Sequence, residues 1–175
     1  LVVGLAACGV KDNGKQEKVA NSALEIFQTV WGAYTDEEKF PAMGGDMNNL
    51  VDNAPGKYDL ADEGLTSNYL VPADQVANLD DAASLMHLMM ANHFTAGVFH
   101  VAEGKDAAAF AEAMKNAITT NRWRCGMPEK YVVAVIGGEY VLAAFGLNDI
   151  VNPFVTKLTA AYPGTELKYQ EAITE

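Results

Sequence analysis

Between Val19 and Tyr34 the apolar positions Leu24, Phe27, Val30, Trp31 and Tyr34 recur at three- and four-residue steps. That period predicts an amphipathic helix, with Asn21 or Ser22 as its N-cap. From Thr35 to Pro72 the pattern dissolves into Gly, Pro, Asn and Asp. This stretch predicts no regular element, and Pro41 to Gly45 reads as a turn or loop. Asp80 or Asp81 then reads as the cap of a second helix running to about Ala91, with Asn92 as a left-handed terminator. Its sequence, AASLMHLMMA, is apolar nearly all round, so the expected helix lies sandwiched between layers.

The second half is more regular. Phe94 to Val101 has strand composition and Gly104 ends it. Asp106 caps a helix that places Phe110, Met114, Ala117 and Ile118 on one face and Glu112, Lys115 and Asn116 on the other. Tyr131 to Ile136, the Gly137-Gly138 pair and Glu139 to Phe145 form a hairpin signal, both strands apolar enough for burial on two faces. Asn152-Pro153 reads as a helix start with proline in the first turn. Phe154, Leu158 and Ala161 face inward, and Tyr162-Pro163-Gly164 is the stop. Leu167 and Tyr169 alternate with polar neighbours as a short edge strand does. The order β-α-β-β-α-β predicts an α+β fold. Its C-terminal part is a ferredoxin-like (split βαβ) four-stranded antiparallel sheet with both helices on one face, preceded by N-terminal helices.

The first 18 residues follow another logic. Leu5-Ala6-Ala7-Cys8, then Gly9, has the order of a lipobox, where a lipoprotein precursor is cleaved and the new N-terminal cysteine is lipidated. Residues 1–7 then read as the end of a signal peptide. Residues 8–18 read as the lipidated Cys8 and a polar tether with a reach of about 17 Å as a coil. Residues 19–92 form a helical extension with a long loop, and 93–175 the α+β unit, the two together making one compact domain. No apolar run reaches the roughly 18 residues that span a bilayer, so the expected membrane attachment is the lipid on Cys8.

Composition narrows the partners. With 50% hydrophobic and 20% charged residues the 175-residue chain is globular. Its net charge of −11, with 12 scattered basic residues, argues against nucleic acid. Once Cys8 is lipidated, Cys125 has no cysteine left to pair with and is expected to be buried and inert.

From Phe94 onward a run of landmarks carries a family likeness. These are the Gly104-Lys105-Asp106 turn, an alanine-rich helix, Asn121-Arg122-Trp123, Pro128-Glu129 and a hairpin centred on Gly138-Glu139-Tyr140-Val141. With the lipobox, they resemble the DUF4358 family of exported lipoproteins, found mainly in Firmicutes. The resemblance implies a fold and a location, and no activity or catalytic residue.

Candidate chemistry is sparse. Met86, Met90 and His93 fall at i, i+4 and i+7 of the expected second helix, a thioether and imidazole set suited to Cu(I). Methionines filling gaps in a buried helix explain the same residues. His87, His93 and His100 match no standard zinc spacing. Asp46 to Asp52 resembles a calcium loop but has leucine and no glycine where the loop needs a ligand and a turn. Arg122-Trp123-Arg124 is the clearest basic-aromatic cluster and reads as an interaction patch, or as Trp123 packed over a helix end.

These readings describe a lipid-anchored extracytoplasmic lipoprotein, a non-catalytic module that binds a protein, peptide or small molecule and needs no cofactor. The alternatives are an exported envelope hydrolase using His87, His93 or His100 beside carboxylates, and copper handling.

Overall fold

Strands that are apolar on both sides need a layer of chain over each face, and that requirement organises the molecule. The computed structural model describes residues 18–124 and 126–174. The lipobox, Cys8, the tether as far as position 17 and Cys125 lie outside the described residues. In chain order the elements are α1 (Ala23–Gly32), β1 (Ala42–Gly44), β2 (Val51–Asp52), β3 (Gly56–Lys57), α2 (Gly64–Ser67), β4 (Leu79–His87), β5 (Phe94–Val101), α3 (Ala107–Thr120), β6 (Lys130–Ile136), β7 (Tyr140–Gly146), α4 (Asn148–Ala161) and β8 (Glu166–Ala172). The eight strands form one antiparallel sheet in the order β2-β1-β4-β5-β7-β6-β8, with β3 pairing to β4 beside β1.

One core lies between the sheet and the pair α1 and α4, joining Phe27, Phe94, Leu142 and Phe154. The other lies between the opposite face, α3 and the 58–71 segment, joining Tyr58, Phe99, Phe110, Met114 and Phe145. The β6–β7 turn works as its sequence predicts. Gly137 and Gly138 both have positive φ, 60° and 78°, as a right-twisted two-residue hairpin requires. Ser22 caps α1 by accepting from the Glu25 amide, while the Glu25 carboxylate reaches back to Asn21. Asp106 caps α3, accepting from the Ala108 and Ala109 amides.

The structure overturns four expectations. The stretch read as a second helix, from Asp81 to Ala91, is instead β4 and the connection that follows it. An apolar run without polar sides suits a strand buried on both faces as well as a buried helix, and pairing with β1, β3 and β5 decides it. Asp81 does serve a helix end, but that of α1, accepting from the Ala23 amide at 2.8 Å. Residues 19–92 are therefore not a helical extension; they supply α1, α2 and four strands to the same body.

The sheet is eight-stranded, and α3 and α4 lie on opposite faces. The free edge of β5 is already taken by β4, so β8 joins the edge of β6. Finally, α4 begins at Asn148, before Asn152-Pro153. The Glu129 carboxylate accepts from the Asn148 amide at 2.7 Å, a capping partner 19 residues upstream that no local pattern reveals.

Phe94 is the best test of the first core. Its ring lies 5.1 Å from those of both Phe40 and Phe154 and is fully buried. Phe94→Ala is expected to destabilise the fold by about 3–5 kcal/mol, read from urea unfolding at constant m-value. A loss under about 1 kcal/mol would show that the core does not depend on this ring.

Candidate functional site

The segment after α3 is extended and carries Arg122, Trp123 and Arg124 across the end of the sheet. Trp123 leans on Phe145 of β7 with ring centroids 4.8 Å apart, and both arginines are exposed. Asn92, in the β4–β5 connection, donates through its amide to the carbonyls of Arg124 and Gly126. This tie joins the segment to the hairpin beside it. Together they enclose a cavity of ≈ 400 Å³ walled also by Met86 and Leu70. Leu70 has φ +60°, a left-handed conformation that a leucine adopts only under constraint. Among the described residues neither guanidinium makes an ion pair or donates a hydrogen bond from its side chain. The indole thus packs against the second core through Phe145 of β7, not over a helix end, and the two exposed arginines line a pocket.

A second concavity, of ≈ 770 Å³, has the opposite character. It lies between Leu24 and Gln28 of α1 and the 51–60 segment, and Asp46, Asp59, Asp80 and Asp81 line it. Close backbone packing shapes it. A Cβ on Gly56 would meet the Gly45 amide nitrogen at 2.4 Å, so the chain crosses itself here only because both sides are glycine. The Ser84 hydroxyl accepts from the Gly45 amide at 2.9 Å and is buried with it.

Asp46, expected as the first position of a faint calcium loop, is a structural tie. It is 3% exposed and accepts from the amides of Asn48, Asn49 and Asp59 and from the Asn49 side chain. Burial pushes its carboxyl up, but the bonds from Asn48, Asp59 and Asn49 outweigh burial and hold it below its ordinary value. Lys57 approaches Asp81 at 3.7 Å, an exposed pair that adds little.

The histidines and methionines do not form the expected set. With β4 a strand, Met86 packs toward the α3 side, whereas His87 stacks on Phe40 of the other side. His93 lies against His87, and Met89 and Met90 are exposed in the connection. Met86, Met90 and His93 therefore share no face. The His87 ring accepts from the Met89 and Met90 amides through Nδ1, and burial, with His93 nearby, holds its pKa below the ordinary value. His100 sits between Asp80, at Nδ1, and Glu139, 3.5 Å from Nε2. Both ring nitrogens face carboxylates, and His100 is not among the residues that line the acidic cleft. Among the described residues no group of three His, Cys, Asp or Glu side chains is arranged to hold a metal, and no helix is long and apolar enough to cross a membrane. Cys8, where lipidation is expected, and Cys125 fall outside the described residues.

Sequence reasoning missed Leu70, Met86 and Phe145 as pocket walls and Asp59 as a cleft residue, since each arrives from a different element. No protein-family model matches the chain, and neither a curated protein nor a solved structure matches it.

Asp46 yields a pH prediction. A carboxyl whose folded pKa is depressed contributes stability that is complete above its unfolded pKa and lost as pH falls through the folded one. Asp46→Asn keeps the size but turns an amide donor toward N–H groups. The variant is expected to be less stable at about pH 7, with the gap to the native chain closing as the pH drops below the ordinary value of 3.8. Chemical unfolding across that range measures it, and a gap that stays constant would remove the charge-based account.

Proposed function

We propose that this chain is a lipid-anchored, extracytoplasmic binding protein, held to the membrane through Cys8 and without a catalytic role of its own, whose ligand sits in the Arg122-Trp123-Arg124 pocket. The observation that carries the reading is the pocket itself: two arginines without an ion-pair partner among the described residues, beside a half-buried tryptophan, in a concavity of ≈ 400 Å³. Small-molecule sites combine apolar walls with a few well-placed polar groups in this way.

The entry of the chain supports the same reading. The Tyr140 hydroxyl donates to the Ala20 carbonyl, and Val19 packs against Gly137, so the first described residues lie at the β6–β7 turn end of the sheet. Phe145 and Met86, which wall the pocket, lie toward the other end of the strands. A protein anchored at Cys8 would carry its pocket away from the attachment point. A diacylated cysteine supplies the two chains that firm anchoring needs. The proposal includes the resemblance to the DUF4358 family, and it reads the β5–β8 portion as a ferredoxin-like pattern altered in the edge that β8 joins and in the face that α4 covers.

Two measurements test it. In cell fractionation the native chain is expected in the membrane fraction and Cys8→Ser in the soluble one; equal membrane association of both would sink the anchor. In ligand-observed NMR with a fragment library, the whole chain carrying Cys8→Ser is expected to show binders whose signals vanish in Trp123→Leu. A library with no Trp123-dependent binder would remove the pocket as a site.

A further inference from the structure

We propose that the Arg122-Trp123-Arg124 pocket takes a small anionic ligand, a carboxylate or phosphate carried on a flat apolar body. This rests on the reading of that pocket as the binding site and adds the chemistry of what enters it.

Charge gives the first argument. The chain has 23 acidic residues and only two arginines, and both arginines wall this one pocket. Among the described residues no carboxylate lines it, while four aspartates line the larger cleft. In so acidic a chain an arginine readily finds an internal partner, yet neither of these has one among the described residues. Two planar guanidinium groups with unused donors match the geometry of a carboxylate or phosphate. The surrounding negative field would turn anions away from the rest of the surface, so local positive charge at one concavity also confers selectivity.

The walls give the second argument. Trp123 and Phe145 present aromatic surface, and Met86 adds a polarisable thioether beside them. A ligand bearing only charge would leave that surface unused; a flat apolar body covers it. Leu70, held at φ +60° in the pocket wall, adds a third. Backbone strain of this kind persists where the surroundings over-determine it, and it clusters at ligand sites.

The test uses the whole chain carrying Cys8→Ser and three probes with the same ring system: 2-naphthoate, 2-naphthyl phosphate and the neutral 2-naphthamide. Titrations are followed by NMR at the Trp123 indole. The better of the two anions is expected to bind at least about tenfold more tightly than naphthamide, and their ranking identifies which oxyanion the arginines prefer. In Arg122→Gln/Arg124→Gln the preference for anion over naphthamide should disappear. Both arginines are exposed, so this variant is expected to fold, and circular dichroism checks it. Raising the salt concentration should weaken the anions and spare the amide. If anions and amide bind the native chain equally, and all lose binding in Trp123→Leu, the anionic assignment falls while the pocket stands. If no probe perturbs Trp123, the pocket reading falls with it.

Discussion

The rest of the structure depends on a sheet whose central strands have no polar side. In β6, Val132, Ala134 and Ile136 belong to one core and Tyr131, Val133 and Val135 to the other; in β7, Tyr140, Leu142 and Ala144 oppose Val141, Ala143 and Phe145. Backbone groups in such strands find hydrogen bonds only in the ladder, and side chains find cover only if both faces are layered. This places α1 with α4 on one side and α3 with the 58–71 segment on the other. It also removes a usual safeguard, because a one-residue slip would exchange two faces that are both apolar. Register must then rest on the Gly137-Gly138 turn and on size matching, with rings such as Phe145 and Phe94 seated where a helix leaves room.

The irregular edge is governed by a different constraint. Between α1 and β4 the chain makes three very short strands, and polar side chains replace the missing ladder. Ser84 satisfies Gly45, Asp46 gathers three amides, and Asp81 satisfies the first turn of α1. Apart from the local bonds of Asp46 to Asn48 and Asn49, these span distant parts of the chain, and all involve buried or half-buried groups, the kind that is costly to leave unmade. The acidic cleft is in part a consequence of this scaffolding. Its Asp46 is consumed by hydrogen bonds, and Asp80 and Asp81 are engaged with His100 and the α1 terminus. The arginines at the other pocket are not consumed in this way, and that contrast separates structural charge from charge left available to a ligand.

Much of the C-terminal half was legible because its signals are local. Asp106 and Ser22 cap the helices that follow them, the Gly137-Gly138 turn joins its hairpin, and Phe110, Met114 and Ile118 share the buried face of α3. The errors have a common cause in long-range partners. The Ala82-to-Met86 run reads as a helix until strands on both sides claim its backbone, and Glu129 starts α4 from across a hairpin. The Arg122-Trp123-Arg124 cluster stood out in the sequence as a patch, but its pocket did not, since Leu70, Met86 and Phe145 come from three separate parts of the chain.

The sequence by itself determined α1 and α3 with their caps, the hairpin turn and the presence of strands needing cover on two faces. It did so because period, capping and turn chemistry act within a few residues. The tertiary structure alone decided which edge β8 joins, which face each helix covers, and that the chain's two arginines border one concavity with no carboxylate among its described lining residues. Those outcomes follow from competition for edges and faces among distant segments, a contest that no local pattern records.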